Sequence, residues 1–210
     1  MSVTVSTGYE QHVEQMVVYP DWRSVVSKGD CWNQTSQFGE DGIVAAIFDT
    51  IGATNKWCFE VGAYDGNMHS NTKRWRQLGW WCLLIESDAD LYHRCVASSD
   101  APNVEVVHKH LTDGHDLGFE MWKLYQMAEW DLGVLDVDGD EYNIWRTLPG
   151  FKPRVMVVEH NPYEGPDTPP GGGEHKQAGL NPLIELGRSL GYKPAVHTHC
   201  NVVFVSNDAI

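Results

Sequence analysis

The fold is decided by the stretch Lys56-Trp57-Cys58-Phe59-Glu60-Val61-Gly62-Ala63-Tyr64-Asp65-Gly66. Residues 56–61 form an apolar run of strand length, and residues 60–66 form a turn that contains two glycines. In an open α/β sheet, ligands bind beyond the carboxyl ends of the strands, where the chain turns into the next helix. Gly62 lets the backbone pass close to a ligand, and Gly66 permits a tight or left-handed turn. The stretch therefore predicts the nucleotide-facing turn of a Rossmann-like domain.

Short apolar runs alternate with helical stretches along the rest of the chain. The runs that predict strands are 56–61, 81–86, 104–108, 132–136, 154–159, 193–197 and 201–205. The stretches that predict helices are 37–51, 70–78, 88–97, 116–128, 140–147 and 178–190. This alternation indicates a mainly parallel α/β sheet with helices on both faces. No helix fits between the last two strands, which predicts an antiparallel hairpin at one edge of the sheet.

Two segments lack regular periodicity. Residues 1–34 predict an irregular N-terminal arm, and residues 35–210 predict a single domain. The segment 161–175 (NPYEGPDTPPGGGEH) contains four prolines and four glycines, so it predicts a loop. Loops of this length in compact domains are often lids.

The turn after the first strand favours one cofactor over another. A dinucleotide fingerprint has the form G-x-G-x-x-G, whereas this turn places Ala63 and Tyr64 between Gly62 and Gly66. The acidic flanks at positions 60 and 65 would repel a pyrophosphate, but they can accept hydrogen bonds from an ammonium group. The turn therefore favours S-adenosylmethionine over NAD.

Glu86 ends the second predicted strand, 20 positions beyond Gly66. A carboxylate at that strand end can accept hydrogen bonds from the ribose hydroxyls of an adenosine. The alternative is that Glu86 begins an exposed turn.

Acidic residues follow the fourth and fifth predicted strands. Asp136 and Asp138 follow the run 132–135, and Glu159 and Asn161 follow the run 155–158. Oxygen ligands from Asp136, Glu159 and Asn161 would suit a hard cation such as Mg²⁺. Such an ion could lower the pKa of a substrate hydroxyl. The alternative is that residues 138–141 cap the next helix, where negative groups are favoured.

The ten histidines show no zinc-binding spacing, although the pairs 108/110 and 197/199 could each supply two ligands. His160 follows Glu159, and a neutral imidazole near a substrate hydroxyl could act as a general base. The alternative is an ordinary loop histidine.

Composition excludes several classes of function. A formal net charge of −14 argues against nucleic-acid binding, which relies on clustered Lys and Arg. The first twenty residues lack a basic start followed by an apolar run, and no stretch reaches the roughly 18 apolar residues of a membrane span. Five scattered cysteines fit reduced thiols better than disulfides. These features predict a cytoplasmic protein that does not bind membranes, and they make no prediction of its oligomeric state.

Several motifs in order along the chain resemble those of the FkbM-like S-adenosylmethionine-dependent methyltransferases. These motifs are Ser36-Gln37-Phe38-Gly39-Glu40-Asp41-Gly42, the 60–66 turn, Ser70-Asn71-Thr72, Gly79-Trp80 with Ile85-Glu86, and Asp136-Val137-Asp138-Gly139. The resemblance covers about residues 35–206 and implies a class I methyltransferase fold, with a seven-stranded sheet that ends in an antiparallel hairpin. The N-terminal 34 residues have no counterpart in it.

The resemblance also implies a set of site residues. Glu60, Gly62 and Asp65 would approach the methionine portion of the cofactor, Glu86 the ribose, and residues 110–112 the adenine. Gln37 and Glu40 would face the same cavity. The full set of expected cofactor-binding residues is Gln37, Glu60, Gly62, Tyr64, Asp65, Gly66, Asn71, Glu86, Ser87, Leu111 and Asp136. Related metal-dependent sugar O-methyltransferases have acidic residues where Asp136 and Glu159 lie, but this chain reads Glu-His-Asn at 159–161.

The leading hypothesis is methyl transfer to a hydroxyl oxygen of a small molecule or sugar, with Asp136 or His160 taking the proton. Two alternatives are a non-catalytic module that binds S-adenosylmethionine and an NAD-dependent oxidoreductase. The acceptor pocket is expected to lie between the N-terminal arm and the 161–175 loop.

Overall fold

The computed structural model describes residues 13–99, 101–125, 129–148, 150–173 and 176–210. Within these ranges the chain forms one eight-stranded sheet. The strands are β1 (Val17–Val18), β2 (Trp57–Val61), β3 (Trp81–Glu86), β4 (Val104–His108), β5 (Leu132–Leu135), β6 (Val155–Glu159), β7 (Tyr192–His197) and β8 (Asn201–Ser206). The helices are α1 (Glu40–Ile51), α2 (Lys73–Gln77), α3 (Ala89–Ser98), α4 (Gly114–Tyr125), α5 (Glu141–Thr147) and α6 (Leu180–Ser189).

The strand order across the sheet is β1-β7-β8-β6-β5-β2-β3-β4. Strands β2 to β6 pair in parallel. Strand β8 pairs antiparallel with β6 and with β7, which confirms the predicted hairpin. The chain runs outward from β2 to β4 and then returns to β5 on the other side of β2. The strand order therefore reverses between β2 and β5, which is where open α/β sheets bind ligands.

Helices cover both faces of the sheet because successive strand side chains point to opposite faces. Cys58 and Phe59, for example, belong to two different hydrophobic clusters. The first cluster packs α1, α2 and α3 on one face. The second packs α4, α5 and α6 on the other. The inner parallel strands β2, β3, β5 and β6 are buried on both faces, which is why their sequences are almost continuously apolar.

The prediction of seven strands was one short. The additional strand, β1, lies in the predicted N-terminal arm and pairs antiparallel with β7. Two 3₁₀ helices follow it, at Pro20–Trp22 and Lys28–Asp30. The Trp22 side chain is 3% exposed and belongs to the first cluster. Sequence periodicity missed these elements because each is only two or three residues long.

Parts of three predicted segments lie outside the described residues: 1–12 of the arm, 126–128 of the helix predicted at 116–128, and 174–175 of the loop. All five cysteines are buried and none is in a disulfide, which agrees with the predicted free thiols. Among the described helices, none has the length and apolar character that crossing a bilayer requires.

Candidate functional site

A cavity of about 510 Å³ lies at the carboxyl ends of β2, β3, β5 and β6, beside the reversal in strand order. We call it the switch-point cavity. Its lining residues are Gln37, Glu60, Val61, Gly62, Ala63, Tyr64, Met68, His69, Ser70, Ile85, Glu86, Ser87, Leu91, Lys109, His110, Leu111, Asp136, Val137, Asp138, Asp140 and Glu159. The volume is within the usual range for a site that binds a small molecule or cofactor.

Strained backbone is concentrated in the wall of this cavity. Among the described residues, five non-glycine residues have left-handed backbone, and three of them, Tyr64, His69 and Asp138, line the cavity. Such conformations cost free energy and tend to persist at ligand sites. The concentration of strain supports the cavity as the functional site.

Gly62 brings the turn after β2 against the end of β5. A Cβ atom at this position would lie 1.6 Å from the Asp136 carbonyl oxygen, and Gly62 has a φ of 81°. The Gly62 and Ala63 N–H groups both donate to the Ile85 carbonyl, at 2.9 and 3.1 Å. The turn is therefore fixed to β3 and β5 at once, and a side chain at position 62 is excluded.

Glu60 is buried in the cavity wall and holds the loop before α2. Its Oε2 accepts hydrogen bonds from the Ser70 and Thr72 hydroxyls, at 2.7 and 2.5 Å. Its Oε1 accepts one from the Asn71 backbone N–H at 2.8 Å. A carboxylate has about four acceptor positions, so Oε1 keeps one for a ligand.

Three of the expected cofactor-binding residues lie outside the cavity lining. Asp65 Oδ1 accepts hydrogen bonds from two backbone N–H groups of its own turn, those of residues 67 and 68. The Gly66 carbonyl accepts a hydrogen bond from the buried Arg76 guanidinium. The Asn71 backbone N–H donates a hydrogen bond to Glu60. These three residues shape the turn and the loop that follow β2.

Glu86 and Ser87, both among the expected cofactor-binding residues, line the cavity at the end of β3. Glu86 Oε1 accepts hydrogen bonds from the backbone N–H groups of Ser87 and Asp88, at 2.7 and 2.8 Å. Its Oε2 accepts a hydrogen bond from the Tyr64 backbone N–H at 2.8 Å. Oε2 therefore retains acceptor capacity that a ligand hydroxyl can use.

The helix before β2 begins later than predicted. Gln37 therefore lies before the helix, and Glu40 is its first residue. Helix α1 begins at Glu40, after Gly39 in a left-handed conformation. Gln37 precedes the helix and lines the switch-point cavity. The expectation that Glu40 faces the cavity was wrong, since Glu40 is 1% exposed and is absent from the lining. Its Oε1 instead accepts hydrogen bonds from the Thr198 and Asn201 side chains.

Three carboxylates meet at the far end of the cavity. Asp136, Asp138 and Glu159 each place an oxygen within 4.8 Å of the other two. Burial and the neighbouring negative charges raise the pKa of Asp136 to about 7. Burial, followed by the charge of Asp136, raises the pKa of Glu159 to about 10. The cluster therefore holds protons near neutral pH, which a cation could replace.

Asn161 and His160 do not join this cluster. Asn161 Oδ1 accepts hydrogen bonds from the backbone N–H groups of Tyr163 and Glu164, at 2.8 and 3.2 Å. Both residues line a second cavity, and neither lines the first. The position expected for Asn161 in the acidic cluster is taken by Asp138.

Two contributors to the site were missed in the sequence. Asp138 was expected beside Asp136 at the end of the fourth strand, with helix capping as the alternative, but it was not included among the expected metal ligands. Gln177 donates a hydrogen bond from Nε2 to Glu159 Oε2. It reaches the cluster from the far end of the 161–175 loop, and no local pattern in the sequence indicates that contact.

No family model matches this sequence, and no curated protein matches it significantly. Solved structures of methyltransferases do share its fold. One is a putative caffeoyl-CoA O-methyltransferase from Staphylococcus aureus, with a TM-score of 0.56 and 10% identity over 96% of this chain and 93% of the other. Another is magnesium protoporphyrin IX methyltransferase from Synechocystis PCC 6803 with bound SAH, with a TM-score of 0.54 and 11% identity over 80% and 81%. The chain thus has the Rossmann-like α/β fold of these methyltransferases.

Proposed function

We propose that this protein transfers a methyl group from S-adenosylmethionine to a hydroxyl oxygen of a small molecule or sugar, assisted by a divalent cation such as Mg²⁺. The observation that carries the proposal is the composition of the switch-point cavity. One end has Glu86 and the strained turn after β2, and the other end has the three carboxylates. The end with Glu86 suits an adenosine with an attached amino acid. The end with the three carboxylates suits activation of the acceptor hydroxyl.

The cofactor half of the cavity offers two buried carboxylates with spare acceptor positions. Glu86 Oε2 would accept a hydrogen bond from a ribose hydroxyl. Glu60 Oε1 would accept a hydrogen bond from the ammonium group of the methionine portion. Gln37, Tyr64, Ser87 and Leu111 complete the contact surface. Lys109 lies at the same end, beside the adenine position implied for residues 110–112.

The carboxylate cluster fits a hard divalent cation. It presents three oxygen donors, and the raised pKa values of Asp136 and Glu159 reflect a concentration of charge that a cation would relieve. Asp136, Asp138 and Glu159 would hold the ion. When bound, it would lower the pKa of the acceptor hydroxyl.

The chain's own part in the reaction is to orient the acceptor and remove its proton. Methyl transfer is an in-line displacement, so the hydroxyl oxygen must meet the methyl carbon at close range, and positioning supplies much of the rate. In the ion-free site Asp136 would take the hydroxyl proton on its carboxylate, since burial raises its pKa there into the range of an effective general base. His160 is a less suitable base because it lies on the second cavity.

Calorimetric titration with S-adenosylmethionine, S-adenosylhomocysteine and NAD tests the cofactor assignment. We expect both adenosyl ligands to bind and NAD to show no heat of binding. Binding of NAD alone would refute the proposal in favour of an oxidoreductase.

A second assay tests catalysis. The protein is incubated with labelled S-adenosylmethionine, Mg²⁺ and a panel of hydroxyl acceptors, with and without EDTA. We expect label to enter an acceptor and the rate to fall on chelation. Tight binding of S-adenosylmethionine with no transfer to any acceptor would favour the non-catalytic module.

A further inference from the structure

The second cavity, which we call the histidine cavity, has a volume of about 270 Å³. Its lining residues are Gln15, His160, Asn161, Pro162, Gly165, Pro166, Leu180, His197, Thr198 and His199. They come from the N-terminal arm, the loop after β6, the start of α6 and the β7–β8 turn. Its size is close to the lower limit for small-molecule sites, so it has room for about one ring.

The histidine cavity adjoins the switch-point cavity at two places. Glu159 lines the switch-point cavity and the next residue, His160, lines the histidine cavity. Gln37 lines the first, and the ring of the next residue, Phe38, lies 5.1 Å from the His199 ring. The two cavities therefore lie next to each other, and a ligand in the histidine cavity lies beside the backbone that carries Glu159.

The lining of the histidine cavity carries no fixed charge. It contains no Asp, Glu, Lys or Arg among its described residues. Burial lowers the pKa of His197, so its imidazole is neutral at pH 7. Neutral imidazole, amide and hydroxyl groups each donate and accept hydrogen bonds, as the hydroxyl groups of a ligand do. A phosphate or carboxylate ligand would find no cation here.

Two buried side chains in this lining have unused hydrogen-bonding capacity. Asn161 is 2% exposed, and its Nδ2 has no hydrogen-bond partner among the described residues. His160 is 5% exposed, and within the same ranges neither ring nitrogen makes a hydrogen bond of standard geometry. An unsatisfied buried polar group destabilises the folded protein. Ligand hydroxyls at this cavity could supply the missing partners.

Apolar surface completes the histidine cavity. Pro162, Pro166 and Leu180 line one part of it. At its rim the His199 ring packs against Phe38 and against Tyr163, which is 79% exposed. Flat apolar and aromatic surfaces suit the C–H faces of a saturated sugar ring.

We propose that the histidine cavity binds an uncharged, polyhydroxylated ring of the methyl acceptor, such as a neutral hexose unit. This inference rests on the proposed function, because it assigns the cavity as a subsite for the acceptor of that reaction. Binding energy from this non-reacting ring would orient the acceptor hydroxyl at the carboxylate cluster.

Ligand-observed NMR by saturation transfer tests the inference without turnover. The neutral probes are the methyl glycosides of glucose, galactose, mannose and rhamnose, and the charged probes are glucose 6-phosphate and glucosamine. We expect at least one neutral glycoside to bind the full-length protein and neither charged sugar to do so. Binding of the charged sugars alone, or no binding of any neutral probe, would overturn the inference.

A matched pair of variants locates the bound sugar. Leu180→Trp fills the histidine cavity from the start of α6, whereas Leu190→Trp adds the same bulk to a cavity beside Trp145 at the other end of that helix. Both leucines are half-buried. We expect Leu180→Trp to weaken glycoside binding by about tenfold or more and Leu190→Trp to leave it unchanged.

Tyr163→Ala is the second variant, since its exposed ring can be removed without disturbing the core. We expect it to weaken glycoside binding as well. If neither Leu180→Trp nor Tyr163→Ala changes glycoside binding, the sugar binds elsewhere and the inference fails. Calorimetry with S-adenosylhomocysteine on the same samples reports separately on the proposed function, because that ligand belongs to the switch-point cavity.

Discussion

The Glu86 carboxylate both holds two loops together and forms part of the proposed ligand site. Three backbone N–H groups donate to it, which fixes the turn after β2 and the start of α3 relative to β3. These donors also keep the side chain in place before a ligand arrives. Its acidic type and strand-end position could be recognised in the sequence. Its three backbone partners could not, because they depend on how two loops meet.

Glu86→Gln should weaken binding of S-adenosylhomocysteine by about 10- to 100-fold, the loss expected for one charge-assisted hydrogen bond. Calorimetry measures the affinity. Glu105→Gln makes the same chemical change on the exposed surface of β4 and should leave the affinity unchanged. Equal affinities for the two variants would remove Glu86 from the cofactor site.

Glu159→Gln should stabilise the metal-free protein at pH 8. The folded pKa values of Asp136 and Glu159 lie above their unfolded values. Their contribution to stability is therefore present at low pH and is lost as the pH rises through about 7 and towards 10. The neutral glutamine relieves the repulsion. Thermal unfolding at pH 5 and pH 8 measures the effect, and Glu185→Gln on the exposed face of α6 is the control.

The same variant tests the cation site. Mg²⁺ at 100 times its Kd should stabilise the wild-type protein by about 2.7 kcal/mol and should stabilise Glu159→Gln much less. Equal stabilisation of the two proteins by Mg²⁺ would show that the ion binds elsewhere.

His160 should make the protein sensitive to acid. Burial lowers its folded pKa to about 4, below the ordinary value of 6.5, so the unfolded chain binds the extra proton first as the pH falls. Stability is then lost between pH 6.5 and about 4, by about 3 kcal/mol. Urea unfolding at pH 7 and pH 4.5 measures this loss.

The buried carboxylates have the opposite pH dependence. The effect of His160 is therefore measured as the difference in the free energy of unfolding between the wild-type protein and His160→Gln. That difference should shrink on acidification. A constant difference would mean that His160 is protonated equally in both states. His93→Gln, on the exposed side of α3, should follow the wild-type protein.

At the scale of elements, the sequence predicted the strands of the parallel part to within about one residue at each end. Strands β2, β3, β5 and β6 are buried on both faces, so their apolar runs end where the chain leaves the sheet. Helix starts were less predictable. Helix α1 begins three residues after its predicted start, because apolar spacing reports the buried face of a helix and not its first hydrogen bond.

Gly62→Ala should disrupt the contact between the turn after β2 and the end of β5. The new Cβ would overlap the Asp136 carbonyl oxygen, so we expect a loss of about 3 kcal/mol or more, together with weaker cofactor binding. Gly52→Ala is the matched control. Gly52 also has a positive φ, but nothing lies within 4 Å of its Cβ position, so it should lose only about 1–3 kcal/mol from backbone strain, without the added overlap. Denaturant unfolding compares the two, and similar losses would mean that the turn can move.

At the scale of the whole molecule, the N-terminal segment from Met16 onward packs on the same hydrophobic cluster as α1. Sequence patterning could not predict this packing, because isolated apolar residues such as Met16, Trp22 and Val26 show no period. They are buried by contacts with elements far along the chain, such as β7.

Trp22→Ala should therefore cost about 3–5 kcal/mol, as is usual for removing a buried aromatic side chain. Trp122→Ala is the control, because Trp122 is 57% exposed on α4 and should change stability by about 0.5 kcal/mol or less. Equal melting temperatures for the two variants would mean that the segment around Trp22 contributes little to the core.

Strand β1 also affects how one molecule meets another. A terminal strand offers unpaired N–H and C=O groups that can recruit a strand from a neighbouring chain, and short terminal strands limit that risk. Among the described residues, the sheet ends on this side with a strand of two residues, which covers part of the six-residue β7. A chain shortened to begin after β1 would expose β7 as a longer edge. Loss of this small strand would thus favour edge-to-edge aggregation.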